Sequence, residues 1–423
     1  MRYVGLQDQA VCWISNNPIE LCVEVPPELS EVTDEDLITN YIYRDGVWIN
    51  KLLKPVRQNL KIAMIARYGI NCGIATYTKY LCDAMRPLVQ EIMIFSERSD
   101  CISSDDKVDN VCRCWEGQSN FIELLNAVAE YAPDVVYVQH EYGCFNNAVT
   151  WNLLIGHLSA NWRTIVVLHS VYEHQSKLIF EAPCQEVIVH SKSAKTLLQS
   201  REVDHCRIHY IPHGCLAEQK QKIKFSMLGS DHVIFQYGFG FEYKGWEKAI
   251  EIIRALKDEY DDLVYIGIFN ISKYSEKFNE DYYNILMTKI KQSGLAKHFV
   301  LLKGFRSDPI LASYLSQAHI ALFPYWNHPE WLVHGASGAV RMALACDIPT
   351  IVGDVPFFSE FKGHIPVCDT IEEYCNVICK IFNDPDFKEQ IIEQTKLFVQ
   401  ERNWDRIAEW YLSCQPNEDF TAL

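Results

Sequence analysis

"LKIAMIARYGINCGIATYTKYLCDAM", residues 60–85, runs from an apolar stretch through a turn with two glycines into a segment of helical spacing. It predicts a strand, a turn and a helix in that order. The order recurs downstream. "EIMIFSE" reads as a strand, "FIELLNAVAEYAP" as a helix stopped at Pro133, "DVVYVQH" as a strand and "WNLLIGHLSAN" as a helix. "TIVVLHS", "EVIVHS" and "IHYIPHG" complete the set. Near-continuous Val/Ile runs between amphipathic helices mark parallel strands buried on both faces.

The pattern then restarts. "LGSDHVIFQYG" is a fresh first strand, and "WEKAIEIIRALKDEY" sets Trp246, Ala249, Ile250, Ile253 and Leu256 on one helical stripe. Strands "LVYIGIFN", "HFVLLKG", "HIALFPY" and "PTIVGD" alternate with helices such as "YYNILMTKIKQSG", closed by Gly294. The chain is therefore α/β, with two doubly wound parallel-sheet domains. We expect an appended β-rich module at 1–59 with a hairpin near 41–50, a first domain at 60–213 and a second at 214–400. The segment 401–423 carries a last helix, "NWDRIAEWYLSC", and the joint falls near 214–230.

The 423 residues carry a formal charge of −16, which gives no general attraction to nucleic acid or anionic lipid. No window of about twenty apolar residues appears, and the first residues lack the apolar core of a secretory signal. Sixteen Cys are scattered without CxxC pairs or zinc spacing, many of them in apolar runs. Free buried thiols in a reducing cytoplasm account for them. The acidic stretches "TDEDL" (33–37) and "NDPDF" (383–387) follow no buried strand, so no catalytic metal is expected.

In a doubly wound domain, ligands lie beyond the carboxyl ends of the strands. Gly69 and Gly73 sit at the first such end, where backbone can approach a phosphate or simply turn tightly. His140, Glu141 and Tyr142 follow one buried strand. His169 ends another and suits hydrogen bonding or proton transfer; His190 ends a third. Lys244 precedes a helix and can neutralise a diphosphate. In "HGASGAVRMALACDIPT" (334–350), small residues open a turn before a helix. Ser337, Gly338 and Ala339 would present N–H groups there. Arg341, in the first turn, reaches either the same anion or a neighbouring carboxylate.

Taken in order over about residues 60–414, these stretches resemble a glycosyltransferase of the GT-B fold, closest to glycosyltransferase family 4. "GINCGIATYTKYL" is similar to its glycine-rich first loop, "DVVYVQHEYGCF" to its "VVHxQHE" strand and "IHYIPHG" to the end of its first domain. "GFGFEYKGWEKAI" resembles "GxxxxxKGxxxLI", and 334–354 resembles the donor-phosphate loop and helix. The resemblance implies two Rossmann-like domains facing across a cleft, with the last helix packed back on the first domain. It implies sugar transfer from a nucleotide-sugar, UDP- or GDP-linked, to an acceptor hydroxyl, with retention and without metal or other cofactor. Gly73, Lys244, Ser337, Gly338, Ala339 and Arg341 would then hold donor phosphate, with Gly73 touching either that phosphate or the acceptor. His169 would face the transferred sugar. His334, Gly304, Phe305 and Arg306 would border the donor sugar and base, and His140, Glu141 and Tyr142 the acceptor.

The family commonly has Arg where this chain has Phe239, and a pair of glutamates where it has His334 and Met342. Three other readings stand beside transfer: a catalytically degenerate binding or partner protein, a sugar-nucleotide epimerase, and a glycosyltransferase acting on nucleic acid. A glycan, a lipid-linked sugar or a small molecule fits as acceptor better than nucleic acid does. Peripheral membrane contact stays open, with no basic amphipathic helix to mark it.

Overall fold

The computed structural model describes residues 3–7, 10–15, 22–24, 41–44, 47–50, 58–99, 110–116, 121–145, 147–173, 186–201, 208–216, 229–272, 275–327 and 332–413. The acidic stretch at 33–37 and most of the expected joint, 217–228, lie outside them. The chain divides into two compact units, and the larger spans Asn59–Ser413.

In the smaller unit, β1 (Tyr3–Gln7), β2 (Ala10–Ser15), β3 (Cys22–Glu24), β4 (Tyr41–Arg44) and β5 (Val47–Asn50) form one sheet in the order β3-β1-β2-β4-β5. The expected hairpin is present: Tyr41 pairs with Asn50 and Arg44 with Val47, antiparallel.

The larger unit holds two sheets. The first contains β6 (Gln58–Ala66), β7 (Val89–Glu97), β8 (Val111–Trp115), β9 (Val135–His140) and β10 (Arg163–Leu168). After β11 (Ser170–Tyr172), which stands apart, β12 (Glu186–Val189) and β13 (Ile208–Tyr210) complete it. Its order is β13-β12-β10-β9-β6-β7-β8. From β6 the chain first builds outward through β7 and β8, then returns to β9 on the other flank, so connection order reverses between β6 and β9. Helix α1 (Gly73–Met85) buries Ala75, Tyr77, Thr78, Leu81, Cys82 and Met85, spaced three to four apart. Helices α2 (Ile122–Tyr131), α3 (Ala148–Asn161) and α4 (Lys192–Gln199) complete this half. Side chains start the last two: Asn147 Oδ1 accepts from the N–H groups of Val149 and Thr150, and Ser191 Oγ from that of Ala194.

The second sheet is parallel throughout. It contains β14 (Val233–Phe239), β15 (Val264–Asn270), β16 (Phe299–Lys303) and β17 (Ile320–Phe323). A short β18 (Val333–Gly335) lies outside it, and β19 (Thr350–Gly353) and β20 (Val367–Cys368) finish it. The order β16-β15-β14-β17-β19-β20 reverses between β14 and β17. Two apolar clusters pack against it, one around Phe235, Phe323 and Phe358, the other around Trp246, Phe269 and Tyr374. Helices α5 (Trp246–Leu256), α6 (Glu276–Gln292), α7 (Asp308–Leu315), α8 (Gly338–Leu344), α9 (Ile371–Asn383) and α10 (Pro385–Glu401) surround it. Asp384 caps α10 by accepting from Phe387 N–H, which gives the "NDPDF" carboxylate a structural role.

The last described helix, α11 (Trp404–Ser413), returns to the first half. The hydroxyls of Tyr77 and Tyr411 are 2.7 Å apart, and Tyr137 Oη donates to Tyr411 O at 2.9 Å. A side chain at Gly214 would strike the Trp404 ring at 2.4 Å, so the two backbones approach only because residue 214 has none.

One element departs from the sequence reading. Residues 334 and 335 belong to a strand, not a turn: Ser170 pairs with Gly335, Val171 with His334 and Tyr172 with Val333. This antiparallel ribbon, β11 with β18, ties the two halves together.

Candidate active site

The reversal points of both sheets open on one cleft of ≈ 290 Å³. The first half lines it with Gly73, Glu141, His169 and Ser170; the second with Phe239, Lys244, Asn270, Phe305 and residues 336–339. Each follows the carboxyl end of a strand or opens a helix, where a doubly wound sheet binds its ligand.

Lys244 stands at the β14–β17 reversal. Its carbonyl accepts from Gln236 Nε2 at 3.0 Å. The next residue, Gly245, has φ 74°, and a Cβ there would lie 1.9 Å from Pro324 O. Glycine is thus required for the turn that aims Lys244. Its Nζ donates to Tyr325 Oη at 2.6 Å and lies 4.4 Å from that ring's centre. Burial opposes its charge, but Tyr243 and Tyr325 outweigh burial and raise its pKa. It stays protonated at neutral pH.

Arg341 takes the second of the two partners the sequence offered. The guanidinium, 1% exposed, is ion-paired with Glu360. It also donates to His213 O at 2.9 Å and Ser337 O at 3.1 Å. These bonds hold the start of α8 against the first half and commit Arg341 to the wall rather than to a phosphate. Among the described cleft residues, Lys244 is the cation with no carboxylate partner.

His169 is buried, with Nε2 2.8 Å from Gln139 Oε1. An amide oxygen only accepts, so Nε2 carries the hydrogen and Nδ1 keeps its lone pair. Burial, then His190 and His140, push its pKa well below the usual value, so the ring is neutral. Glu141 accepts from Ser170 Oγ at 2.8 Å and from Tyr142 N–H at 3.0 Å. Burial raises its pKa, and those two bonds offset part of the shift.

Several expected residues stand elsewhere. His140 does not reach the cleft: it packs among Phe145, Tyr142 and Trp151, and burial pushes its pKa down to about 3. Strand alternation turns it inward. Tyr142 packs on Tyr172, and its hydroxyl is buried without a partner among the described residues. His190 is a core residue bonded to Ile211 O at 2.9 Å. Arg306 folds back on the carbonyls of Lys303, Gly304 and Phe305, leaving Phe305 as the cleft-lining member of that loop. His334 does not line the cleft; it pairs with Val171 in the β11–β18 ribbon, 3.8 Å from Glu173.

Sequence reading missed Ser170, Tyr325, Asn270 and Tyr80, whose hydroxyl donates to Asp308 across the cleft. The positions of Ser170, next to His169, and of Asn270 at strand ends could have flagged two of them. Among the described residues, no group of three or more His, Cys, Asp or Glu could hold a metal ion. Nor is any helix among them long and apolar enough to cross a membrane.

No family model matches the chain, and no curated protein does. Solved structures do. HepE of Anabaena, in complex with UDP, is 14% identical, with TM-score 0.65, over 83% of this chain and 98% of that one. A sucrose-phosphate synthase from Thermosynechococcus elongatus is 17% identical, with TM-score 0.65, over 84% and 97%. A UDP-forming α,α-trehalose-phosphate synthase from Burkholderia xenovorans, with glucose-6-phosphate, is 10% identical, with TM-score 0.66, over 84% and 99%. At such identities the likeness is one of fold: this chain has the GT-B fold of two Rossmann-like domains.

Proposed function

We propose that this chain is a glycosyltransferase that moves a sugar from a nucleoside-diphosphate sugar, UDP- or GDP-linked, to an acceptor hydroxyl. The observation that carries it is the placement of Lys244 at the reversal point of the second sheet, facing His169 and Glu141 from the first. Solved neighbours of the same fold hold UDP or glucose-6-phosphate, which supports the reading. The sequence motifs resemble those of family 4, and that resemblance is what supports a retaining outcome.

In this scheme Lys244 and the N–H groups of residues 337–339 stabilise the leaving diphosphate as its charge grows. The bond from the anomeric carbon to phosphate oxygen breaks and the bond to acceptor oxygen forms. The acceptor's proton passes to the departing phosphate oxygen, so no carboxylate base is needed, while Lys244 and those N–H groups meet the charge a metal would otherwise neutralise. Neutral His169 hydrogen-bonds the transferred sugar through Nδ1. Glu141 and Ser170 orient the acceptor, which is a glycan, a lipid-linked sugar or a small molecule.

A second reading, a nucleotide-sugar binding protein without transfer, is favoured by Phe239 and Met342, apolar side chains in the cleft wall. Calorimetric titration with UDP, GDP, ADP and TDP, followed by donor-hydrolysis assays, separates the two. Binding with turnover supports transfer. Binding without turnover across an acceptor panel supports the second reading, and no binding overturns both.

A further inference from the structure

Helix α3, alone among the described α-helices, carries no Asp, Glu, Lys or Arg. Its inner face buries Trp151, Leu154, Ile155 and Leu158 against the first sheet. Its outer face repeats Val149, Leu153 and His157 at the i, i+4 spacing of one stripe, and all three are exposed. Val149 and Leu153 are each 70% exposed. A helix that is apolar on both faces is ordinarily covered on both, yet here the outer face is open among the described residues. The patch continues onto α2. Phe145 packs on Trp151 and on Phe121, with ring centres 5.1 and 6.0 Å apart, and Ile122, next to Phe121, is 64% exposed. The adjoining acid, Glu123, is ion-paired with Arg98, so that pair adds no net charge to the rim.

The place of the patch and the charge of the chain identify what covers it. Helices α2 and α3 follow β8 and β9, so both start at the carboxyl edge of the first sheet, where the cleft opens. The loop that carries Glu141 runs directly into α3, and Val149 follows Glu141 by eight residues. Three exposed side chains amount to apolar surface on the order of a few hundred Å², short of the ~800 Å² per partner of a stable protein interface. A second copy would also bring its own charge of −16, and an anionic bilayer would repel the chain in the same way. A bilayer of low net charge does neither, and it receives a small apolar helix face without a matching surface. We infer that the outer face of α3, with Ile122, docks the first half on such a bilayer, and that the acceptor presented to Glu141 and Ser170 is a sugar linked to a lipid in it. The acceptor part rests on the transfer reading above.

The test is flotation of the full chain with vesicles of phosphatidylcholine, and of phosphatidylcholine with added phosphatidylserine, beside the double variant Val149→Gln, Leu153→Gln. The wild type is expected to float with phosphatidylcholine, and less well at low salt once phosphatidylserine is added. The double variant is expected to bind the vesicles about tenfold more weakly. Its melting temperature and its affinity for nucleoside diphosphates should hold, because both replaced side chains are exposed and lie outside the cleft. A wild type that stays off both kinds of vesicle, or a double variant that floats as well as the wild type, overturns the inference and leaves the nucleotide reading intact. So does a wild-type dimer in light scattering that the double variant disperses, since a second copy then covers the face. Flotation by a chain that binds no nucleoside diphosphate overturns the transfer reading and the lipid-linked acceptor with it, and supports the docking face alone.

Discussion

Lys244 Nζ and Tyr325 Oη, 2.6 Å apart, join the ends of the two strands between which the second sheet changes direction. The cation is thus fixed by the topology rather than by a carboxylate, and its charge stays available to an incoming anion.

Removing that charge should act on binding more than on folding. Lys244→Ala is expected to weaken nucleoside-diphosphate affinity about 10- to 100-fold, the value of a charge-assisted hydrogen bond. Calorimetry measures it, with circular dichroism to verify the fold. Tyr325→Phe should cost less, because the ammonium remains.

Gly245→Ala tests the turn. The new methyl would meet Pro324 O in a backbone that disfavours any side chain. A stability loss of about 1–3 kcal/mol is expected. Nucleotide affinity should fall with it, since Lys244 is re-aimed; titration below the melting temperature separates the two effects.

Arg341 and Glu360 make the opposite case. Both are buried, at 1% and 8% side-chain exposure. Glu360→Ala leaves a buried guanidinium unpaired and should destabilise the chain by about 3–5 kcal/mol in urea unfolding. A nucleotide affinity close to wild type in the fraction that stays folded would bear out the structural role; a loss matching that of Lys244→Ala would restore the phosphate role.

The buried histidines fix a pH dependence. Burial lowers His140 to about 3 and His190 to about 4, and holds His169 and His213 well below the usual value. Above about pH 6.5 neither folded nor unfolded rings are charged. As pH falls below that, the unfolded chain gains protons that the folded chain refuses, and stability drops toward pH 4. Each ring adds up to about 1.4 kcal/mol per pH unit. His140→Phe, which keeps the aromatic packing, should flatten the decline of melting temperature between pH 6.5 and 4.5.

The alternating strands and helices were legible because each carries its own period, and reversal points follow from chain order once strands are known. Lys244, His169 and Glu141 were found at strand ends for that reason. What the sequence hid depends on single orientations. His140 and Glu141 are neighbours, yet one faces the core and the other the cleft. The β11–β18 ribbon joins three-residue strands too short to show a period. Arg341 had two chemically equal partners in prospect, and only the packed position of Glu360 decides between them.

The return of α11 to the first half bears on the order of synthesis. Tyr77 and Tyr137, laid down early, gain their partner Tyr411 only when the last described helix emerges. Between the end of α1 and the end of α11 the ribosome adds roughly 330 residues, some tens of seconds of work at about 5–20 residues per second. Throughout that interval the nascent first half has an uncovered aromatic flank. It completes its burial only after the second half has been made.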